Sequence, residues 1–407
     1  MNLLIISLIY LSILRLMYLP FAGSNSHWVS AIFSILLAGI MFVFFKIDKS
    51  KVIIIYYSLI LYILNLVSFG TSLDLKIVSY FETITPFILL GSVTSKRFLD
   101  YLRNNIKFFK NALIILILIL LFGHLIQLLG FPLPSISGTP LTKEISDSFI
   151  VNVRITSFVG VSGPYSLSIC YLLIALQILK PKIFYPIFIF GSIAQLLSFS
   201  RLGLTIFLIF NFTIFLFELL EILSLSFKNG LIKKRMISIF SIFIFIILTI
   251  NFNYGDQLNV VFNRFVDGFT YKDMGNISRL ERFLYLVVDF KENNIMNILI
   301  GDGTGVTARS SGAPQGESQI GKIFVEWGLL GVSLVLVWIL DLVGILKFRI
   351  KQVFIKSNIF KLALFIALLS NLILIQAFTS SPIFVSMLFP LIAIKYREIT
   401  KDDIKVN

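Results

Sequence analysis

"IFYPIFIFGSIAQLLSFSRLGLTIFLIFNFTIFLFELLEI", residues 183–222, is two apolar runs joined at a single arginine, Arg201. Each run has about the length that crosses the hydrocarbon core of a bilayer as a helix. The nearest acidic residues in sequence are Asp147, far upstream, and Glu218, a helix length downstream. The stretch therefore reads as a hairpin of two membrane spans with Arg201 at its tip. An arginine there needs water or a counter-charge, and the counter-charge need not belong to the protein.

The same pattern runs through the chain. Of its 407 residues, 57% are hydrophobic and only 14% charged, and the mean hydropathy is +0.94. Soluble domains lie far below that value. Further apolar runs fall near 2–19, 28–45, 52–69, 75–94, 111–130, 163–179, 236–252, 319–345, 359–378 and 382–396. With the opening pair they make twelve. The expected fold is all-α: a polytopic membrane helical bundle of about twelve transmembrane helices, one integral membrane domain over residues 1–407. Residues 2–19 lack a basic n-region and a small-residue cleavage site, so they read as the first span rather than a signal peptide. The one cysteine, Cys170, lies inside an apolar run. Two histidines, His27 and His124, argue against a multi-histidine metal site. Neither a metal nor a cofactor is expected.

A net charge of +14 raises the question of nucleic acid, but its distribution points to a membrane instead. Alternate gaps between spans, together with the C-terminal tail, hold 23 of the 35 lysines and arginines. These gaps contain Lys46, Lys49 and Lys51; Lys96 to Lys110; Lys180 and Lys182; Lys228 to Arg235; and Lys347 to Lys361. The tail runs from Lys395. The opposite gaps and their flanks hold 11, although they include the longest segments. The positive-inside rule makes the rich side cytoplasmic and places both termini there.

Two outside segments are long, about 131–162 and 253–318. Residues 276–299, "NISRLERFLYLVVDFKENNIMNIL", carry Leu280, Phe283, Leu284, Val287 and Val288 at helical spacing. Ser278 and Glu281 form a capping-box pattern at its start. The large loop is thus expected to be partly helical, with an amphipathic helix that the glycines of "IGDGTGV" end. "GDGTG" at 301–305 is too short for a dinucleotide fingerprint and reads as a turn that re-enters the membrane surface.

The outside arginines carry the chemical signal. Arg154 lies in "RITSFVGVSGP" before a span, Arg201 lies at a hairpin tip, and Arg279 and Arg282 lie in the first turn of the loop helix. Arginine at a helix N-terminus opposes the local dipole, and an anion docked there reverses that. One reading has these residues snorkelling to lipid head groups. The other makes them a guanidinium cluster for a diphosphate. Glu317 opens the tenth span, either as a solvated helix-start carboxylate or as a catalytic base. Lys322 and Glu326, four apart on that span, are spaced to pair with one another. Glu82, His124, Gln195, Asn211 and Gln376 fall within spans, where polar residues mark pathways or internal hydrogen bonds. For His124 a hydrogen bond is expected. A serine triad lacks a usable outside histidine.

"RITSFVG" before a span, "SFSRLG" at an outer hairpin, "SRLERF" followed by "NILIGDGTG" in a large loop, and then "ESQIGKIFVEWGLLG" come in an order that resembles the O-antigen polymerase and O-antigen ligase superfamily of bacterial polysaccharide assembly. The resemblance covers most of the chain from about residue 150. It implies a membrane glycosyltransferase at the outer face of the bacterial cytoplasmic (inner) membrane, which moves a glycan from undecaprenyl diphosphate onto a sugar hydroxyl of a second lipid-linked repeat, without metal and with inversion. In the ligase branch a histidine usually stands where this chain has Glu317, which favours the repeat-unit polymerase branch. Arg154, Arg201, Arg279 and Arg282 are then the diphosphate-binding set, with Arg279 and Glu317 catalytic. The implied partners are undecaprenyl-diphosphate-linked oligosaccharides, membrane lipid and a chain-length regulator protein, and no nucleic acid. The implied product is O-antigen, as in lipopolysaccharide biosynthesis, capsule or exopolysaccharide. A lipid-linked oligosaccharide flippase, with similar spans and basic residues, and an O-antigen ligase are the alternatives.

Overall fold

The computed structural model describes residues 1–14, 26–47, 49–67, 73–129, 157–159, 162–181, 183–197, 201–225, 295–301, 303, 319–346, 356–374 and 380–406. Among these residues the secondary structure is entirely helical. The helices are α1 (Asn2–Ile13), α2 (Ser26–Phe45), α3 (Lys49–Val67), α4 (Leu73–Ser92), α5 (Lys96–Leu128), α6 (Ser162–Leu179), α7 (Phe184–Leu197) and α8 (Arg201–Leu225). They are followed by α9 (Ile295–Ile300), α10 (Gln319–Val343), α11 (Lys356–Leu374), α12 (Ser381–Ser386) and α13 (Leu388–Val406). A 3-10 turn covers Ser157–Val159. Lys96–Leu128, Leu202–Leu219 within α8, and Gln319–Val343 are long and apolar enough to cross a membrane. Large apolar side chains such as Val43, Phe122, Tyr185, Phe190 and Phe212 face outward, as a lipid-facing perimeter requires.

α6 is the hub. Every residue from Tyr165 to Leu176 is fully buried, which fits a helix that is apolar all round. Helices α5, α7, α8, α12 and α13 surround it. Two glycines set how closely its neighbours approach. A β-carbon on Gly203 of α8 would lie 2.5 Å from the Ser166 carbonyl group, and one on Gly191 of α7 would strike Leu173. Small residues permit such backbone contact between helices in lipid, where no hydrophobic force draws helices together.

Charge counting treats 96–110 as a basic gap; the structure makes it helix. α5 has 33 residues and is about 50 Å long, well beyond a ~30 Å hydrocarbon core. Its early turns bury Phe98, Leu102, Ile106 and Phe109, one stripe at helical spacing. The Ser95 side chain caps the start by accepting the Phe98 N–H at 3.2 Å. The Phe98 ring packs edge-on against Phe45, 5.0 Å between centroids. This segment keeps its positive charges on the other face.

The two ends of the bundle are chemically distinct. At one, Asn2 donates to Asn105 at 2.7 Å. Glu398 joins both Lys361 and Lys395, Lys110 lies over the Tyr396 ring, and Arg397 lies over Phe360. At the other, Ser30 and Ser381 share a hydrogen bond of 2.8 Å, and the Ser168 hydroxyl donates to the Pro382 carbonyl at 2.9 Å.

Candidate functional site

Arg201 is the first residue of α8, as its position at a hairpin tip predicts. What holds it there is the close contact of Gly203 with the Ser166 backbone. From the other arm of the hairpin, the Gln195 amide donates to the Ser166 hydroxyl at 2.7 Å. Thus the hairpin tip is fixed against the beginning of the buried hub α6. The Arg201 side chain, and Arg154, Arg279, Arg282 and Glu317 as a whole, lie outside the described residues, as do the helix expected over 276–294 and its capping box.

The polar residues expected within spans are partly accounted for. Gln195 bonds Ser166, and the Asn211 amide donates to the Phe207 carbonyl of its own helix at 2.8 Å. His124 Nδ1 lies 2.8 Å from the Tyr165 hydroxyl, so the expected hydrogen bond is present. Next to it Gly123 leaves room for Ser157 and Phe158. The Ser157 hydroxyl donates to the Leu120 carbonyl, and its backbone N–H donates to the Gln127 side chain. The part of "RITSFVG" that is described is therefore sewn onto the far end of α5. The side chain of Glu82, and Gln376, lie outside the described residues.

The most informative geometry joins "NILIGDGTG" to "VEWGLLG". Helix α9 ends at Ile300, and Gly301 (φ +79°) and Gly303 (φ +101°) turn the chain in the left-handed region. This matches the expected break at "IGDGTGV". The turn runs directly onto α10, which is interrupted at Gly328 (φ 64°, ψ −168°). The carbonyls just before the break are served from outside the helix. Glu326 O accepts the Gly303 N–H at 3.0 Å, and Trp327 O accepts the Tyr57 hydroxyl of α3 at 3.1 Å. Irregular backbone at membrane depth is tolerated where protein buries and satisfies it. A β-carbon on Gly301 would lie 2.5 Å from the Glu326 carbonyl, and one on Gly328 would run into Leu299. Beneath the junction Phe87 stacks on Trp327 and meets Trp338 edge-on, with centroids 5.7 and 4.7 Å apart.

Above the break, α10 carries three buried polar residues on one face: Gln319, Lys322 and Glu326, spaced three and four apart. The pairing of Lys322 with Glu326 expected from their spacing is not found. Lys322 is only 6% exposed and has no ion pair or hydrogen bond among the described residues. The i,i+4 spacing puts both on one face but does not make their side chains meet. Sequence reasoning gave Lys322 a structural role because nothing in the sequence reveals that the loop buries this face.

No protein-family model matches the chain, and no curated protein matches it.

Proposed function

We propose that this chain is a repeat-unit polysaccharide polymerase, a membrane glycosyltransferase of about twelve spans with both termini cytoplasmic. It transfers a growing glycan from undecaprenyl diphosphate to a sugar hydroxyl of a second lipid-linked repeat at the outer face of the membrane. The observation that carries the reading is the backbone interlock between Gly301–Gly303 and the break at Gly328. Two of the segments on which the resemblance rests, separated in sequence, meet in one place beside buried polar residues. Guanidiniums at Arg154, Arg201, Arg279 and Arg282 hold the diphosphate and stabilise the charge that develops as the anomeric bond breaks. Glu317 takes the proton from the acceptor hydroxyl.

A second reading has one specific observation in its favour. A discontinuous span near buried charged residues is also how transporters build a substrate site, which keeps the lipid-linked oligosaccharide flippase in play. The test is reconstitution of purified protein with a lipid-linked repeat present only in the leaflet it would occupy after flipping. A ladder of polymer lengths is expected. Movement of repeats between leaflets without glycan transfer would overturn the polymerase and favour the flippase. Single transfer to a lipid A acceptor would make it a ligase.

A further inference from the structure

Helix α5 turns one face outward along its whole length, and the chemistry of that face changes abruptly. Asp100, Asn104, Lys107 and Asn111 are exposed, three and four apart, and the same spacing continues through exposed Ile115, Leu118, Phe122 and Leu125. Lys96, Arg97 and Arg103 are exposed beside them, so the whole set lies within about a third of the circumference at 3.6 residues per turn. Up to Asn111 every member is charged or an amide, with four cations against the one carboxylate of Asp100. From Ile115 every member is apolar, as lipid contact requires. The neighbouring helices show at what depth the change falls. Level with Asn105, which bonds Asn2, α1 turns out Leu3 and Leu4, and Leu3 is 75% exposed. Level with Phe98, which packs on Phe45, α2 turns out Phe42, Val43 and Phe44. The apolar perimeter of α1 and α2 thus reaches the level at which α5 exposes Arg97, Arg103 and Asn104. A cation beside hydrocarbon at that depth is costly unless it meets water or an anion.

We propose that this face of α5 binds an anionic phospholipid of the leaflet at that end of the bundle, which the charge pattern makes cytoplasmic. The lipid phosphate lies against Arg103 and Lys107, four apart and so neighbours on the helix surface. Asn104 and Asn111, on the same face, add amide donors. One acyl chain follows the stripe past Ile115, Leu118 and Phe122. The join between the two halves is what selects a lipid over a soluble anion or an acidic protein. A ligand lying along the face has to be anionic at one end and apolar over the turns that follow. Asp100, three residues before Arg103, sets the lower limit of the site, because a phosphate there would meet a like charge. The inference is independent of the polymerase reading and of the arginines assigned to the diphosphate.

The experiment uses the full chain purified in a neutral detergent and titrated with dioleoyl phosphatidylglycerol, with dioleoyl phosphatidylcholine and inorganic phosphate as controls. Native mass spectrometry counts the bound lipid, and a ligand of the folded state alone also raises the unfolding temperature. Phosphatidylglycerol should bind and stabilise at concentrations where the two controls do neither. Arg103→Gln combined with Lys107→Gln should lower the affinity for phosphatidylglycerol about tenfold or more, the scale of one charge-assisted hydrogen bond. Both side chains are exposed, so the lipid-free unfolding temperature should change little. Lys96→Gln combined with Arg97→Gln removes the same charge about two turns away and should leave most of the affinity. Equal losses in the two double variants would mean diffuse attraction by net charge, and would overturn the site. Equal binding of phosphatidylcholine by the wild type, or an equal shift with inorganic phosphate, would overturn it as well. A measurement on the wild type alone guards against a variant that folds poorly. Phosphatidylglycerol with a photoactivatable acyl chain should label α5 over residues 115–122, and labelling confined to other helices would sink the proposal.

Discussion

At the scale of single residues, what was legible was chemical type and what was hidden was company. Arg201 could be placed at a hairpin tip from sequence, because an arginine between two spans has few other places to be, and α8 does begin with it. That its hairpin is pinned through Gly203 and Gln195 to Ser166 could not be read, since those contacts join residues far apart in sequence. Lys322 is the converse case: its spacing suggests a pairing with Glu326 that is not found among the described residues. Two predictions belong here. Arg201→Ala or Arg279→Ala should abolish long polymer while single lipid-linked repeats still accumulate at the outer face, and Arg279→Lys should also be impaired, because lysine lacks the two-pronged fork for phosphate oxygens. Product ladders from cells expressing each variant at normal level decide it; full-length polymer would remove the arginines from the site. Glu317→Gln keeps shape and hydrogen bonding but not basicity, so turnover with purified lipid-linked repeats should fall by about 10²–10⁴ with little change in substrate affinity. Near-normal turnover would remove Glu317 from the mechanism.

At the scale of elements, apolar periodicity located the helices well and misjudged where two of them stop or break. Charge places the segment 96–110 in a gap, yet Phe98, Leu102, Ile106 and Phe109 form a helical stripe that the sequence already contains. Counting charges weighed the exposed face and overlooked the buried one. The interruption of α10 was harder to see, because glycine within a span is ordinary and only the φ of +64° with ψ of −168° reveals its use. That conformation is essentially confined to glycine. Gly328→Ala should therefore cost about 1–3 kcal/mol from strain alone, plus whatever the displaced loop loses against Leu299. Thermal unfolding of the purified protein measures it. Gly39→Ala in α2 is the control, since a β-carbon there would meet nothing within 4 Å. Equal stability of Gly328→Ala and wild type would mean the break has no need of glycine. A second element-scale device ends α10: Gly344 (φ +84°) turns the chain, the Ile345 N–H returns to Leu340 O at 2.8 Å, and Lys361, Lys395 and Glu398 gather around it. Cations at a helix C-terminus are favourable to its dipole.

For the molecule as a whole, the contacts can be set against the charge-derived topology by counting crossings. Ser30 near the start of α2 and Ser381 at the start of α12 are hydrogen-bonded, so they occupy the same end of the bundle. Gly203 against Ser166 puts the start of α8 at the start of α6, and Phe210 of α8 stacks with Phe360 near the start of α11, 6.4 Å between centroids. Leu225 lies a further fifteen residues along α8, hence toward the end where Lys361 meets Glu398. The end of α10 lies there too, because a β-carbon on Gly344 would be 3.2 Å from both Glu398 and Lys395. With the start of α10 at the opposite end from Leu225, the charge pattern predicts an odd number of crossings between them. The apolar run at 236–252, outside the described residues, is the sequence's candidate for that crossing. Its flanks agree, with Lys228, Lys233, Lys234 and Arg235 on the basic side before it and the long arginine-bearing segment after it. Reporter fusions at residues 231 and 290 should accordingly give opposite signals, cytoplasmic at 231 and outside at 290. Matching signals would mean that 236–252 does not cross, and cytoplasmic signals at both would place Arg279 and Arg282 on the cytoplasmic side, apart from Arg201 and the diphosphate proposed for it.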